Sequence, residues 1–597
     1  MAIKRLFDIL DHFSLNFDKL DALAAKEFQA AGKTGKQWKK YSTKDFVTTT
    51  NNISYGLLKL GVQKQDKIAI ISNNRPEWNF IDLGVLQIGA IDIPIYPTIS
   101  EHDLKYIFSD AEIKYVFVSS AELYNKVKKI AADVPGLKEI YTFNPVEGAK
   151  HWSEIAELGR QNKDEAKLNA IKASVEETDL ATLLYTSGTT GNPKGVMLSH
   201  RNIVSNVLSS STIPPLDKIN HTCAALSFLP LNHIYERMLT YLYMYMGISI
   251  YYAESIESIA DNLKEVKPHI FTTVPLLLER VYTKIIAKGN ELTGIKRKLF
   301  FWAVDLGLKY EYDRTNGWWY EFQLSIANKL IFSKWREGLG GNIMAVVSGG
   351  AALQERLVKV FHAAKIPVYQ GYGLTETSPL IAVNRNVKGE RKLGTVGPSI
   401  PGVEVKIAED GEILTKGPHV MMGYYKHIEA TAEAIDKDGW FHTGDIGELV
   451  DGKFLKITDR KKEIFKTSGG KYIAPLMIEN KLKESPFIDQ AMVIGDGRKF
   501  ASALIVPSFA NIKDWYAGRG KKYVSNEDAI KDQEVINKIK EDVEKANATL
   551  AHYETIKKFE LVPREWSIER GEMTPKLSMK RKVILELNKE LVTKIYN

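Results

Sequence analysis

The chain has 597 residues with 81 basic and 73 acidic side chains, a net charge of +8, and a length that accommodates about three to five domain-sized units. Hydrophobic residues make up 44% and charged residues 26%, a balance that suits a globular chain and is too apolar for a disordered one. A single cysteine, Cys223, and the lack of any Cys/His cluster at zinc-site spacing exclude a disulfide-stapled scaffold and a structural metal.

Residues 1–17 carry Asp8 and Asp11 where a secretion signal needs an unbroken apolar run, so a cytoplasmic location is expected. Short β-branched runs then alternate with amphipathic segments: 67–72 (KIAIIS), 76–89, 90–96 (AIDIPIY), 101–110 and 114–119 (KYVFVS). That alternation predicts βαβ units and a largely parallel sheet covered by helices. Further strands are predicted at 181–185, 270–274, 343–347 and 366–369, each followed by a glycine, proline or polar turn. In open α/β sheets ligands collect beyond the carboxyl ends of strands, so chemistry is to be sought at these turns.

Residues 238–252 (MLTYLYMYMGISIYY) are too short to cross a bilayer, which takes about 20 apolar residues. They predict a buried helix and strand, equally suited to core and to the wall of an apolar channel. The aromatic and basic run 299–319, together with residues 3–17, has the composition of a segment that rests on a membrane interface, so peripheral contact with the inner membrane face is expected. The mild basic surplus does not argue for nucleic acid, and none is expected.

From about Gly394 the texture changes to short strands and tight turns at 403–407, 411–415, 447–450 and 453–457. A dense charged run, 459–466 (DRKKEIFK), follows, and helix and strand then alternate to the end. The expected fold class is α/β: a large multi-subdomain N-terminal domain over 1–460, with parallel sheets, helices and a β-rich subdomain, then a small mobile α+β lid over 461–597.

Residues 185–195 read YTSGTTGNPKG directly after an apolar strand. Hydroxyls, glycines that let main-chain N–H groups converge, and one lysine make a cradle for a polyphosphate. The string is not a Walker A loop, because Lys194 precedes glycine. A plain surface turn explains the glycines but not the hydroxyls and the lysine together. The string matches the signature of the AMP-forming adenylate synthetases, the superfamily of acyl-CoA synthetases, firefly luciferase and peptide-synthetase adenylation domains. Further family motifs follow in order: 229–237 (LPLNHIYER), 347–353 (VSGGAAL), 370–377 (QGYGLTET), 443–445 (TGD), 459–462 (DRKK) and 574–582 (TPKLSMKRK). With the run 329–353 (KLIFSKWREGLGGNIMAVVSGGAAL) and the segment 459–475, the chain most resembles the long-chain fatty acid CoA ligases.

The resemblance implies a two-step reaction: a fatty carboxylate attacks the α-phosphate of ATP, and the thiol of CoA then displaces AMP from the acyl-adenylate. Both steps build negative charge around one phosphate, so the protein's task is electrostatic placement. By the family pattern Thr186, Ser187, Gly188, Thr189, Thr190 and Lys194 hold the β- and γ-phosphates. Gly349, Gly350 and Ala351 wall one adenine face, and Tyr372, followed by Gly373, stacks on the other. Thr375 contacts the α-phosphate, and Glu376 binds Mg²⁺, a hard cation suited to carboxylate and phosphate oxygen. Asp445 accepts from the ribose hydroxyls, and Arg460 donates to the sugar or phosphate. His233 is a candidate gate beside the reacting carboxylate, not a general base. Lys580 is the choice for the lysine that approaches the α-phosphate during adenylation, with Lys576 and Lys582 as competitors. Lys462 occupies the hinge position about which the lid turns, and 468–472 (SGGKY) then faces the site. Two other readings stand beside this one: a fatty acyl-AMP ligase that loads a carrier protein, and a non-catalytic nucleotide or lipid sensor. Chain-length preference and oligomeric state are not set by these residues.

Overall fold

Two eight-stranded sheets organise the larger part of the molecule. The computed structural model describes residues 2–28, 36–186, 192–567, 569–574 and 579–597. In the first sheet the strands Leu180–Thr186, Ile91–Ile95, Lys67–Ile71, Ile113–Val118, Glu139–Thr142 and Lys150–His151 lie side by side and parallel, in that order. Lys194–Ser199 and Gly423–Tyr424 then extend the sheet antiparallel beyond Leu180–Thr186. The second sheet has six parallel strands with an antiparallel strand at either edge, Leu380–Val383 beside Val368–Gly373 and Lys36–Tyr41 beside Leu23–Phe28. Strands such as Lys67–Ile71 and Ile91–Ile95 are apolar along nearly their whole length because helices cover both faces.

The β-rich part expected after Gly394 is a four-stranded antiparallel sheet, Glu404–Ile407, Glu412–Lys416, Phe441–Val450 and Phe454–Arg460. Its third strand is longer than the predicted 447–450 and swallows the TGD motif. The reason is pairing on both sides, which gives Phe441–Ile446 a strict buried/half-buried alternation that its local residues do not advertise. Likewise the predicted strand 366–369 runs on through Gly373, because Leu380–Val383 folds back to pair with it.

Buried hydrophobics between Ile473 and Ile595 make a core of their own, which shares no member with the cores built from residues 6 to 455. Its sheet has three strands, Ile488–Ile494, Ser502–Pro507 and Lys558–Leu561.

The expectation that residues 3–17 rest on a membrane needs correction. Helix Leu6–Asn16 turns Leu6, Phe7, Ile9, Leu10 and Phe13 into the core, so of its large apolar side chains only Leu15 is left exposed toward solvent. The run 238–252 is the buried helix and strand expected of it: Met238, Leu239, Tyr241, Leu242, Tyr243 and Met244 are all buried in helix Ile234–Tyr245, and Ser249–Tyr252 is a buried strand of the second sheet. Among the described residues no helix is long and apolar enough to cross a membrane.

Candidate active site

Thr186 and Lys194 face each other across the hairpin between the strands Leu180–Thr186 and Lys194–Ser199. Ser187, Gly188, Thr189 and Thr190 lie outside the described residues, as do Lys576 and Pro575. What anchors the hairpin is Gly423–Tyr424, which pairs with its second strand in the register Tyr424↔Val196. That pairing sets the Lys194 ammonium over the Tyr424 ring, 5.3 Å from its centroid. The Tyr424 hydroxyl donates to Glu376 Oε1 at 3.1 Å, and the Glu376 carbonyl accepts from Met421 N–H at 2.8 Å. One short strand therefore ties the phosphate-loop lysine to the carboxylate expected to bind the metal.

Glu376 belongs to a single 3₁₀ turn, Thr375–Thr377, that follows the end of Val368–Gly373. Thr375 is buried there. The turn closes tightly enough that a Cβ on Gly373 would stand 1.8 Å from the Pro379 carbonyl oxygen, so only glycine fits. At the end of the neighbouring strand Ala345–Ser348, Gly350 takes φ +81, and a Cβ on Gly349 would meet the Tyr235 ring at 3.3 Å. The Tyr235 hydroxyl donates to the Val347 carbonyl at 3.0 Å, backing the strand end from behind. Gly349 is thus buried against Tyr235, while Gly350 and Ala351 beyond it are exposed, and the side-chain-free backbone of Gly350 suits close approach of a flat ring.

Asp445 and Arg460 are opposite partners in the antiparallel register of Phe441–Val450 and Phe454–Arg460. Arg460 Nε stands 3.6 Å from Asp445 Oδ1, and the Tyr372 hydroxyl donates to Asp445 Oδ2 at 2.7 Å. Burial raises the Asp445 carboxyl above its usual range, against the pull of Arg460 and the Tyr372 hydroxyl, with Lys462 and Glu376 also within electrostatic reach. Burial, and then Arg460, lowers the Lys462 ammonium, while Glu463, Asp445 and Glu376 act the other way. Tyr372, Glu376, Asp445, Arg460 and Lys462 therefore share one electrostatic environment.

Lys462 has its two neighbours anchored on opposite sides. Lys461 Nζ reaches Asp410 and Glu412 of the antiparallel sheet, at 2.6 and 3.0 Å. Glu463 is held by Arg581 at 3.2 Å, and Arg581 also binds the buried Glu479 at 2.5 Å inside the C-terminal core. Across the same junction Asp459 accepts from Leu476 N–H at 3.0 Å, at the start of helix Pro475–Leu482. Burial pushes the Asp459 carboxyl up to about 6.

Two further expected residues have other surroundings. His233 caps helix Ile234–Tyr245, its Nδ1 accepting from Tyr235 N–H at 3.0 Å, so that nitrogen carries no proton. Lys580 is exposed at the head of helix Arg581–Leu587, and among the described residues its side chain joins none of the nucleotide-site groups. The structure adds Tyr424, Tyr235 and Arg237, none of which the residue pattern singles out. Arg237, inside the 229–237 motif, is fully buried. It binds Asp82 at 2.5 Å, Asp92 at 2.9 Å and the Thr182 hydroxyl at 2.8 Å. It thereby fastens the strand that leads into the phosphate hairpin.

The family model described as AMP-binding enzyme matches residues 21–425, and the one described as AMP-binding enzyme C-terminal domain matches 462–597. The chain belongs to the AMP-binding enzyme family. Among its relatives is the long-chain-fatty-acid–CoA ligase FadD15 of Mycobacterium bovis, 34% identical over 94% of this chain and 93% of that protein. The human long-chain-fatty-acid–CoA ligase 1 is 33% identical over 89% of this chain and 78% of its own length. In fold, the chain is similar to the A domain of carboxylic acid reductase from Segniliparus rugosus, a structure in complex with AMP and a co-purified carboxylic acid. The TM-score is 0.75 at 20% identity, covering 99% of this chain and 94% of that one. The α/β architecture is that of the family's adenylate-forming structures.

Proposed function

We propose that the chain is an ATP-dependent long-chain fatty acid–CoA ligase working through an acyl-adenylate, with the division 1–460 and 461–597 as its catalytic body and lid. The observation that carries this reading is the joining of Lys194, through Tyr424, to Glu376, beside Tyr372, Asp445, Arg460 and Lys462. Alignment over most of the length of ligases at about a third identity supports the same acid and thiol substrates.

In the first step a carboxylate oxygen bonds to the α-phosphorus and the bond to the pyrophosphate oxygen breaks. Lys194 and Thr186, with Ser187, Thr189 and Thr190, take the β- and γ-phosphates, and the cations Arg460 and Lys462 offset charge near the sugar and α-phosphate. Asp445 accepts from the ribose hydroxyls, and Gly349–Gly350 and Tyr372 hold the base between them. In the second step the CoA sulfur bonds to the acyl carbon, the acyl–phosphate bond breaks, AMP leaves and the thiol proton is released.

The donor set fits Mg²⁺. Glu376 Oε2 has no hydrogen-bond partner among the described residues, and a magnesium ion is commonly held by one or two carboxylates plus substrate phosphates. Bound there, it would neutralise phosphate charge. Lys461 and Glu463, anchored to different bodies, support Lys462 as the pivot that brings Lys580 in for adenylation. Peripheral contact with a membrane is part of the same proposal, since the acid substrate partitions into lipid.

Incubation with palmitate, ATP and Mg²⁺, with and without CoA, tests the reading. Palmitoyl-CoA and AMP in equal amounts are expected. Acyl-AMP that accumulates in the presence of CoA would instead favour carrier loading, and a lack of ATP consumption would leave a sensor.

A further inference from the structure

Lys194 and Glu376 carry opposite charges, and both side chains meet one ring, that of Tyr424. The ammonium stands over the ring face, 5.3 Å from the centroid, while Glu376 Oε1 accepts from the ring hydroxyl at 3.1 Å. All three residues are half-buried. Even so, Lys194 and Glu376 form no ion pair with each other, and among the described residues Lys194 has no carboxylate partner at all. In a half-buried setting an ammonium is drawn more strongly to a carboxylate than to a ring face, so their separation calls for a cause.

The cause is that the ring has no freedom to step aside. Tyr424 pairs with Val196 in the antiparallel register, and its N–H donates to the Thr431 hydroxyl at 2.9 Å, on helix Ile428–Ala434. Gly423 before it takes φ +139, and a Cβ there would stand 2.6 Å from the Thr431 methyl, so the approach to this helix needs glycine. After it, the Tyr425 N–H donates to the Gly195 carbonyl at 2.8 Å. Lys426 Nζ donates to the Asp110 carbonyl at 2.7 Å and to Glu112 at 2.9 Å, and the Asp110 carboxylate accepts from the Tyr185 hydroxyl at 2.5 Å. Residues 424–426 thus grip both strands of the phosphate hairpin, while Met421 N–H holds the Glu376 carbonyl from the other side. The ring between them is a fixed wedge.

We infer that Tyr424 is a positioning residue that keeps Lys194 and Glu376 from neutralising each other before nucleotide arrives. Its hydroxyl occupies one carboxylate oxygen and leaves Oε2 for a cation, and its face holds the ammonium ready for phosphate. Without the ring the two charges would pair, and that pair would have to be broken each time a triphosphate bound. The inference rests on the acyl-adenylate reading, which supplies phosphate and metal as the partners of these two groups.

Calorimetric titration with α,β-methylene ATP, once in EDTA and once in Mg²⁺, tests it without turnover. Tyr424→Phe keeps the packing and the ring face and loses the hydroxyl. It should bind the metal-free analogue as the parent does, and the gain in affinity that Mg²⁺ confers should fall by about tenfold, the worth of a hydrogen bond to a charged group. Tyr424→Leu loses the face as well and should bind the metal-free analogue about fivefold more weakly, because Glu376 then holds Lys194. Glu376→Gln added to Tyr424→Leu should recover that loss, whereas the same change in the parent should move metal-free binding far less. A ring that only filled space would leave the double variant as weak as Tyr424→Leu. A Tyr424→Phe chain that gains as much from Mg²⁺ as the parent, or a double variant no better than Tyr424→Leu, would overturn the inference while the acyl-CoA reading stands. A parent chain that binds the analogue in neither condition would overturn both.

Discussion

Glu236 is the residue whose burial costs the molecule most plainly. It sits fully buried between Tyr235 and Arg237, accepts from the Thr272 hydroxyl, and leaves Oε1 without a partner among the described residues. Burial pushes its carboxyl up to about 7 from 4.5. Because the folded value is the higher one, the native state is penalised for ionising it. The penalty is absent below pH 4.5, grows between 4.5 and 7 and is complete above 7. Glu236→Gln, neutral throughout, should match the parent near pH 4 and exceed it by about 3 kcal/mol at pH 9, since each tenfold change in proton affinity is worth about 1.4 kcal/mol. Urea unfolding at the two pH values checks this, and a constant difference would show that the carboxyl is not the cause.

Helix Ile234–Tyr245 does more than fill space between the two large sheets. From it Arg237 reaches Asp82 on helix Pro76–Gln87, Asp92 on strand Ile91–Ile95 and Thr182 on strand Leu180–Thr186. Burial, opposed by Arg237 and reinforced by Asp82, raises Asp92 well above the usual carboxylate range. Breaking such a buried set by removing one partner strands the others in an apolar setting, at about 3–5 kcal/mol. Arg237→Met should therefore destabilise by that amount in equilibrium unfolding, and adding Asp82→Asn should recover part of the loss. Strictly additive losses would mean that the ion pair contributes nothing of its own. The motif 229–237 attracts notice as part of a catalytic signature, and in the structure its histidine also caps a helix while its arginine fastens strands. These residues shape the site by holding what carries it.

The molecule as a whole joins the cores of residues 6 to 455 to the separate C-terminal core through a junction a few residues long. Lys461 is tied to the antiparallel sheet, Glu463 to Arg581, and Asp459 to Leu476. Lys462 between them shares its electrostatic surroundings with Arg460, Asp445 and Glu376, while Lys580 stands exposed. If adenylation needs Lys580 and thioester formation does not, the two half-reactions use different lid positions. Lys580→Ala should then slow adenylation by roughly 10²–10³-fold, the size of losing one charge-stabilising donor. Thioester formation from supplied acyl-AMP should change far less. Equal loss in both half-reactions would reject Lys580 as the adenylating lysine.

The α/β class and the strand positions were readable from the residues because each depends on neighbours in the chain. A β-branched run between polar turns is stable only as a covered strand, and hydroxyls, glycines and a lysine within eleven residues announce their chemistry locally. The contacts that assemble the site are of another kind. Tyr424 meets Glu376, Tyr235 backs Gly349, and Arg237 spans to Thr182, each across dozens of residues of intervening chain. Helix Leu6–Asn16 has an amphipathic pattern that a bilayer or a core could satisfy equally, and the choice fell to the core because distant helices offered a dry face to fill. Local pattern sets which element forms, since its free energy is spent within a few residues. Which elements meet is settled by burial summed over the whole chain, where a single tyrosine's partner is one outcome among many that the same residues permit.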